Sequence, residues 1–142
     1  MDELLIEFEK IINDFPKQVE EINEHEFNFK PSIQKWSKKE ILGHLIDSGV
    51  INYLRFIIAQ FQNNPQIYYE QNDYCNVADY QNSEKKQLLN LWESINEQLL
   101  FLFLKIIREN KLDKICNDIS LNLLMEDYIN HLKHHQKQII SR

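Results

Sequence analysis

The chain has 142 residues, a length that suits a single domain with one sizeable core. Hydrophobic residues make up 43% of it, ordinary for a folded globular protein and too many for a disordered one. The formal net charge of −6 lacks the basic footprint that binding to nucleic acid or an anionic membrane requires, so neither is expected as a partner.

Only two glycines and three prolines are present, which favours few, long elements over a turn-rich β fold. The first helix is expected from about Asp2 to Glu24, with Leu4, Leu5, Phe8, Ile11, Ile12 and Phe15 at helical spacing. Pro16 should bend or interrupt it, because proline removes a backbone donor and crowds the preceding turn. Met1-Asp2-Glu3 is acidic, so no targeting segment is expected there and the protein is read as cytoplasmic. A linker containing His25 and Pro31 leads to Trp36.

The second helix has a clear start in Ser37-Lys38-Lys39-Glu40, a capping box in which serine and glutamate satisfy free backbone donors reciprocally. It is expected to reach about Gln62, with Ile41, Leu45, Phe56 and Ala59 on its apolar side. A third helix should begin near Ser83 and end near Arg108, and a fourth should follow Ser120 to the C-terminus. The apolar run Leu99–Ile107 is too short to span a bilayer and contains Lys105, so it reads as a buried helix face. Between helices two and three lies a segment, 63–82, long enough to cross the bundle from end to end. Extended, it reaches ~60 Å, whereas a 26-residue helix measures ~39 Å. Helices two and three can therefore run parallel, and the expected architecture is an all-α four-helix bundle in one domain, 1–142.

Chemistry concentrates in three histidines. His131 and His135 stand four apart on the fourth helix, so their rings share one face. On a helical wheel both fall on the inward stripe, while His134 turns about 100° away from His135. His44 lies at the margin of the apolar stripe of helix two, with Ser48, Ile51 and Arg55 continuing its line and Asp47 one turn along. With helices two and four antiparallel, all three imidazoles reach nearly the same level of the bundle. Three neutral imidazoles suit Zn²⁺ or Ni²⁺ and leave positions for water or substrate. The alternative is a solvated pair on the last helix and an unrelated histidine at the core margin.

Other residues read mainly as structure. Trp36 is expected to cover the start of helix two, and Trp92 to lie in the core. Arg55 is expected to pair with Asp47 or another carboxylate, or else to receive an anionic substrate group. Cys75 and Cys116 are far apart, match no metal or redox spacing, and are read as packed, reduced thiols. His25 is expected to be exposed.

The segment Lys35-Trp-Ser-Lys-Lys-Glu-Ile-Leu-Gly-His-Leu-Ile-Asp-Ser48 resembles the second-helix signature of the DinB-like superfamily, which includes the YfiT-type proteins and bacillithiol transferases. Asp127-Tyr-Ile-Asn-His-Leu-Lys-His-His-Gln-Lys-Gln-Ile139 resembles its fourth-helix signature. The resemblance runs over essentially the whole chain. It implies up-down-down-up topology and a nickel or zinc ion held by His44, His131 and His135. It also implies an enzyme using a low-molecular-weight thiol, with hydrolase as a second label within the family.

The leading expectation is thus a metal-dependent transferase joining a small thiol to a small electrophile, with Asp47 orienting or deprotonating and Arg55 receiving an anionic group. Residues 132–134 are Leu, Lys and His, so the glutamate of an HExxH peptidase motif is missing. The competing expectation is a non-catalytic homodimeric binding or stress-response module with a structural metal or none.

Overall fold

The computed structural model describes residues 2–141. Four long helices build the bundle: α1 (Asp2–Glu20), α3 (Lys38–Ile58), α5 (Lys85–Arg108) and α6 (Leu121–Ile140). Between them lie two short helices, α2 (Glu24–Asn28) and α4 (Gln71–Ala78), and a 3-10 turn at Tyr80–Asn82. A two-stranded antiparallel hairpin, β1 (Ile115–Cys116) and β2 (Ile119–Ser120), precedes α6.

Pro16 does not interrupt α1, which continues to Glu20 with Phe15, Pro16 and Val19 all buried. Burial of that last turn outweighs the one backbone bond that proline removes. The chain then leaves the helix, and Asn23 starts α2 by accepting a hydrogen bond from the backbone N–H of Glu26. α3 starts as its capping box predicts. The Ser37 hydroxyl accepts from Glu40 N–H, and the Glu40 carboxylate accepts from Ser37 N–H. It stops at Ile58, four residues short of the expected end, and Asn64 then takes a left-handed conformation ahead of Pro65.

Side-chain pairs set the helix directions. Phe15 meets Trp92 and Phe8 meets Phe103, so α1 and α5 run antiparallel. Ser37 and Lys39 at the start of α3 bond Gln81 and Ser83 just before α5, while Phe56 near its end packs on Phe103, so α3 and α5 run parallel. His44 faces His131 and His135 while Gly49, further along α3, approaches Tyr128, so α3 and α6 are antiparallel. The topology is up-down-down-up, and segment 59–84 crosses the bundle as its length requires. That crossover is not a bare loop, because α4 and the 3-10 turn occupy its second half.

Phe8, Phe15, Phe56, Trp92 and Phe103 are fully buried and form the centre of the core. Each such aromatic contributes about 1.5–3 kcal/mol by burial, so this cluster carries much of the packing. α3 is buried on almost every side, Lys39, Glu40, His44, Asp47, Ser48 and Asn52 included. By length and composition it is apolar enough to cross a membrane. It packs against α5, α6, α2 and α4 as the central helix of the bundle.

Candidate metal centre

The capping box fixes where α3 begins, and that places His44 in its second turn, facing α6. On α6, Ser120 caps the N-terminus by accepting from Leu123 N–H, which sets the phase that turns His131 and His135 toward α3. The three rings converge. His44 Nε2 lies 3.2 Å from His131 Nε2, and His135 Nε2 lies 3.1 Å from the same atom. Ring centroids are 4.5–5.1 Å apart and each pair meets edge to face.

This donor set fits a divalent metal. Nitrogens bonded at ~2.0–2.1 Å to one zinc-sized ion stand roughly 2.8–3.4 Å apart, from octahedral to tetrahedral angles. A hydrogen-bonded explanation fits less well, since the single lone pair or proton of His131 Nε2 would have to serve two neighbours at once. His135 donates from Nδ1 to Gln138 Oε1 at 2.7 Å, which leaves its Nε2 as the free lone pair. Trp36 lies against His44 with ring centroids 4.9 Å apart, covering the start of α3 as expected.

Charge is suppressed at this point. Burial, with the neighbouring His131 and His135, pulls the His44 pKa down to about 4. Burial and the proximity of His135 and His134 do the same for His131, also to about 4. His135 is lowered chiefly by burial, against the opposing effect of the hydrogen bond it donates to Gln138. Neutral imidazole is the ligand form, so the apoprotein already holds the protonation state that a metal needs.

Beside the histidines opens a cleft of about 290 Å³. His44, Ser48, Asn52 and Arg55 line one wall from α3, and Leu124, Asp127, Tyr128 and His131 the other from α6. Tyr69 and Gln71 close it from the crossover. The α3 line therefore runs through Asn52, and Ile51 is turned into the core instead. At 100° per residue Ile51 falls about 20° from His44 and Asn52 about 80°, so the cleft wall leans to the Asn52 side of the stripe that spacing alone picks out.

Arg55 lines this cleft but pairs with no carboxylate among the described residues. Its Nε and Nη2 both donate to the carbonyl of Ile67, at 2.9 and 2.7 Å. Asn117 of the hairpin grips the same residue, accepting from Ile67 N–H and donating to Ile67 C=O. Arg55 thus fastens the crossover to α3 while keeping its guanidinium at the cleft wall.

Asp47 is not brought to the histidines. It turns toward the other side of α3, where Tyr80 Oη donates to its Oδ1 at 2.5 Å and its Oδ2 is buried without a partner. Burial, set against the Tyr80 hydrogen bond, holds this carboxyl above the usual carboxylate range. Eight residues separate Asp47 from Arg55, about 80° and ~12 Å on a helix, so the pairing considered from sequence does not form. His134 also stays outside the cluster, with Nε2 against the Gln138 amide. Cys75 and Cys116 are free and buried, and burial together with Glu40 and Asp47 pushes the Cys75 thiol up to about 11.

Sequence reasoning missed Asn52, Tyr69, Gln71, Asp127 and Tyr128. Asp127 was within reach of it, one turn before His131 on the same face. Tyr69 and Gln71 carried no periodic signal, because they belong to an irregular segment held by the hairpin.

No family model matches the chain. Over 99% of its length it is 23% identical to a Bacillus cereus protein named "Putative metal-dependent hydrolase", of which it covers 84%. A Bacillus anthracis protein of the same name shows the same identity and coverage. Among solved structures the chain superposes on YfiT from Bacillus subtilis with a TM-score of 0.85 at 18% identity, covering 97% of this chain and 82% of that one. That structure is described as a probable metal-dependent hydrolase with an unusual four-helix bundle topology. The fold implied by the DinB-like signatures is the fold observed.

Proposed function

We propose that this chain, a four-helix bundle of the YfiT type, is a divalent-metal-dependent enzyme acting on a small polar molecule held between α3 and α6. The observation that carries the reading is the meeting of three ring nitrogens from α3 and α6, with His44 and His131, 87 residues apart in sequence, on the wall of a cleft lined mainly by polar residues. His44, His131 and His135 hold the ion, with Zn²⁺ or Ni²⁺ as the metals that imidazole donors suit. When bound, such an ion lowers the pKa of a coordinated water or thiol and supplies a nucleophile at neutral pH. Arg55, Asn52 and Tyr69 line the far end of the cleft and orient the substrate.

The finer reading is transfer of a low-molecular-weight thiol to a small electrophile, which the signature resemblance implies. Both cysteines of the chain are buried and the Cys75 thiol is pushed up, so the sulfur in such a reaction comes from a co-substrate. Hydrolysis is the second reading. It is favoured by the names of the Bacillus relatives and by Asp127, a carboxylate on the cleft wall able to act as general base toward water.

Elemental analysis of untagged protein tests the metal first, comparing wild type with His44→Ala and His135→Ala. Wild type should carry about one Zn²⁺ or Ni²⁺ per chain and each variant far less. Metal-free wild type that gains no thermal stability from either ion would refute the site. Holoprotein is then assayed with paired thiols and electrophiles and, separately, with ester and amide substrates. Turnover only in the first set supports transfer, and only in the second supports hydrolysis. A stable holoprotein inert in both favours a non-catalytic, dimeric module.

A further inference from the structure

His134 and Gln138 lie on the exposed side of α6 and belong to no wall of the cleft, yet they are tied in series to a ligand. Gln138 Oε1 accepts from His135 Nδ1 at 2.7 Å, and Gln138 Nε2 lies 3.4 Å from His134 Nε2. The spacings are i,i+3 and i,i+4, so one helix face brings all three side chains together. The chemistry of the chain is directional. An amide has one acceptor end and one donor end, and His134 Nε2, as acceptor, takes the donor end. Oε1 is then the end left facing His135, and it requires the proton on Nδ1. With the proton there, Nε2 carries the lone pair, 3.1 Å from that of His131.

We propose that Gln138 is a positioning residue that fixes the tautomer and ring direction of His135 for metal binding, and that His134 orients the Gln138 amide. The inference rests on the metal site proposed above. Two of the three histidines are held by different means. His44 is set by burial and by the Trp36 ring. His135, half exposed at the edge, depends on a hydrogen bond. Outer partners of this kind typically change metal affinity 10–100-fold when removed. His134 thereby acquires a role without being a ligand.

The test measures Zn²⁺ affinity of the full chain by competition with a chromophoric chelator, for wild type, Gln138→Leu, Gln138→Glu, His134→Ala and His135→Ala. Positions 134 and 138 are exposed, so folding is not at stake, and a thermal melt of each apoprotein verifies it. Gln138→Leu should weaken binding 10-fold or more. Gln138→Glu should restore wild-type affinity or exceed it, because a carboxylate accepts from Nδ1–H more strongly than an amide does. His134→Ala should cost only a few-fold. Nitrogen-15 shifts of His135 should show the Nδ1–H tautomer in wild type and lose that bias in Gln138→Leu. Unchanged affinity in Gln138→Leu, or equal losses in Gln138→Leu and Gln138→Glu, overturns the proposal. So does a loss in His134→Ala as large as that in His135→Ala, which would make His134 a ligand. Failure of wild type to bind Zn²⁺ at all would strike the metal site itself, a different outcome from any of these.

Discussion

Helix α3 buries polar groups on two faces, and the two are completed differently. On one face His44, Ser48, Asn52 and Arg55 border a cleft, and three imidazole nitrogens lie within 4.8 Å of one another. On the other face Gly43 and Asp47 meet Tyr80 of the crossover, whose ring lies flush on the glycine and whose hydroxyl bonds the carboxylate. On the second face Tyr80 bonds one Asp47 oxygen and leaves Oδ2 without a partner beside a hollow lined by Tyr74 and Val77, while the first face gathers three imidazoles at the edge of a cleft. Buried polar groups cost free energy unless partnered. Convergence of three donors on one point makes the first arrangement read as a binding site, and the close seat of the Tyr80 ring on Gly43 makes the second a structural clamp, although Asp47 and His44 are one turn apart in sequence.

The sharpest way to break this contrast is Gly43→Ala. A Cβ there would stand 2.1 Å from Tyr80 Cδ2 and 2.3 Å from its Cγ, in the body of a buried ring rather than at a flexible tip. Overpacking of this kind costs about 1–3 kcal/mol or more, and should lower the urea midpoint of the apoprotein by a corresponding amount. Next comes Tyr80→Phe, which keeps the ring but leaves Asp47 with neither oxygen bonded. The expected loss is about 1–2 kcal/mol, with Zn²⁺ affinity unchanged. A large fall in affinity would show that the two faces are coupled.

Acid should separate the faces more gently. In the apoprotein the folded-state pKa values of His44 and His131 are lowered to about 4, against ~6.5 in an unfolded chain. Between these values the unfolded state binds more protons, so stability rises with pH across the window and falls as pH drops from about 6.5 toward 4. The slope is at most about 1.4 kcal/mol per pH unit for each group, and less because both rings are partly solvated. Urea titrations of apoprotein at stepped pH should show this fall, and replacing both histidines should flatten it. The smallest effect belongs to Arg55→Lys. One ammonium cannot reproduce the two bonds to Ile67, so a loss below about 1 kcal/mol is expected, read as faster amide exchange in the crossover.

How much of this was legible in the sequence follows the same division. The long helices announced themselves by 3.6-residue periodicity and by the Ser37–Glu40 box, and the meeting of His44, His131 and His135 by i,i+4 spacing and a shared axial level. The crossover's length gave away the parallel pairing of α3 and α5. The inner structure of that crossover did not show, because α4 and the 3-10 turn are too short to carry a periodic pattern, and α2 ahead of α3 was missed for the same reason. The hairpin was hidden for a different reason. Its strands are two residues each, and its turn rests on Asn117 and Asp118 at positive φ, which asparagine and aspartate adopt without a glycine to flag it. Asp47 was placed at the reaction because it lies one turn from His44. Whether it faces the cleft or the clamp depended on Tyr80, 33 residues away.

X-ray absorption at the Zn edge of the Zn²⁺-loaded, untagged protein tests the central claim most directly. The account predicts one Zn²⁺ per chain with three imidazole nitrogens at about 2.0–2.1 Å, the remaining coordination from light oxygen-type donors and no sulfur. In His44→Ala the imidazole count should drop to two or binding should vanish. A shell containing sulfur, or an imidazole count unaffected by loss of His44, would contradict it.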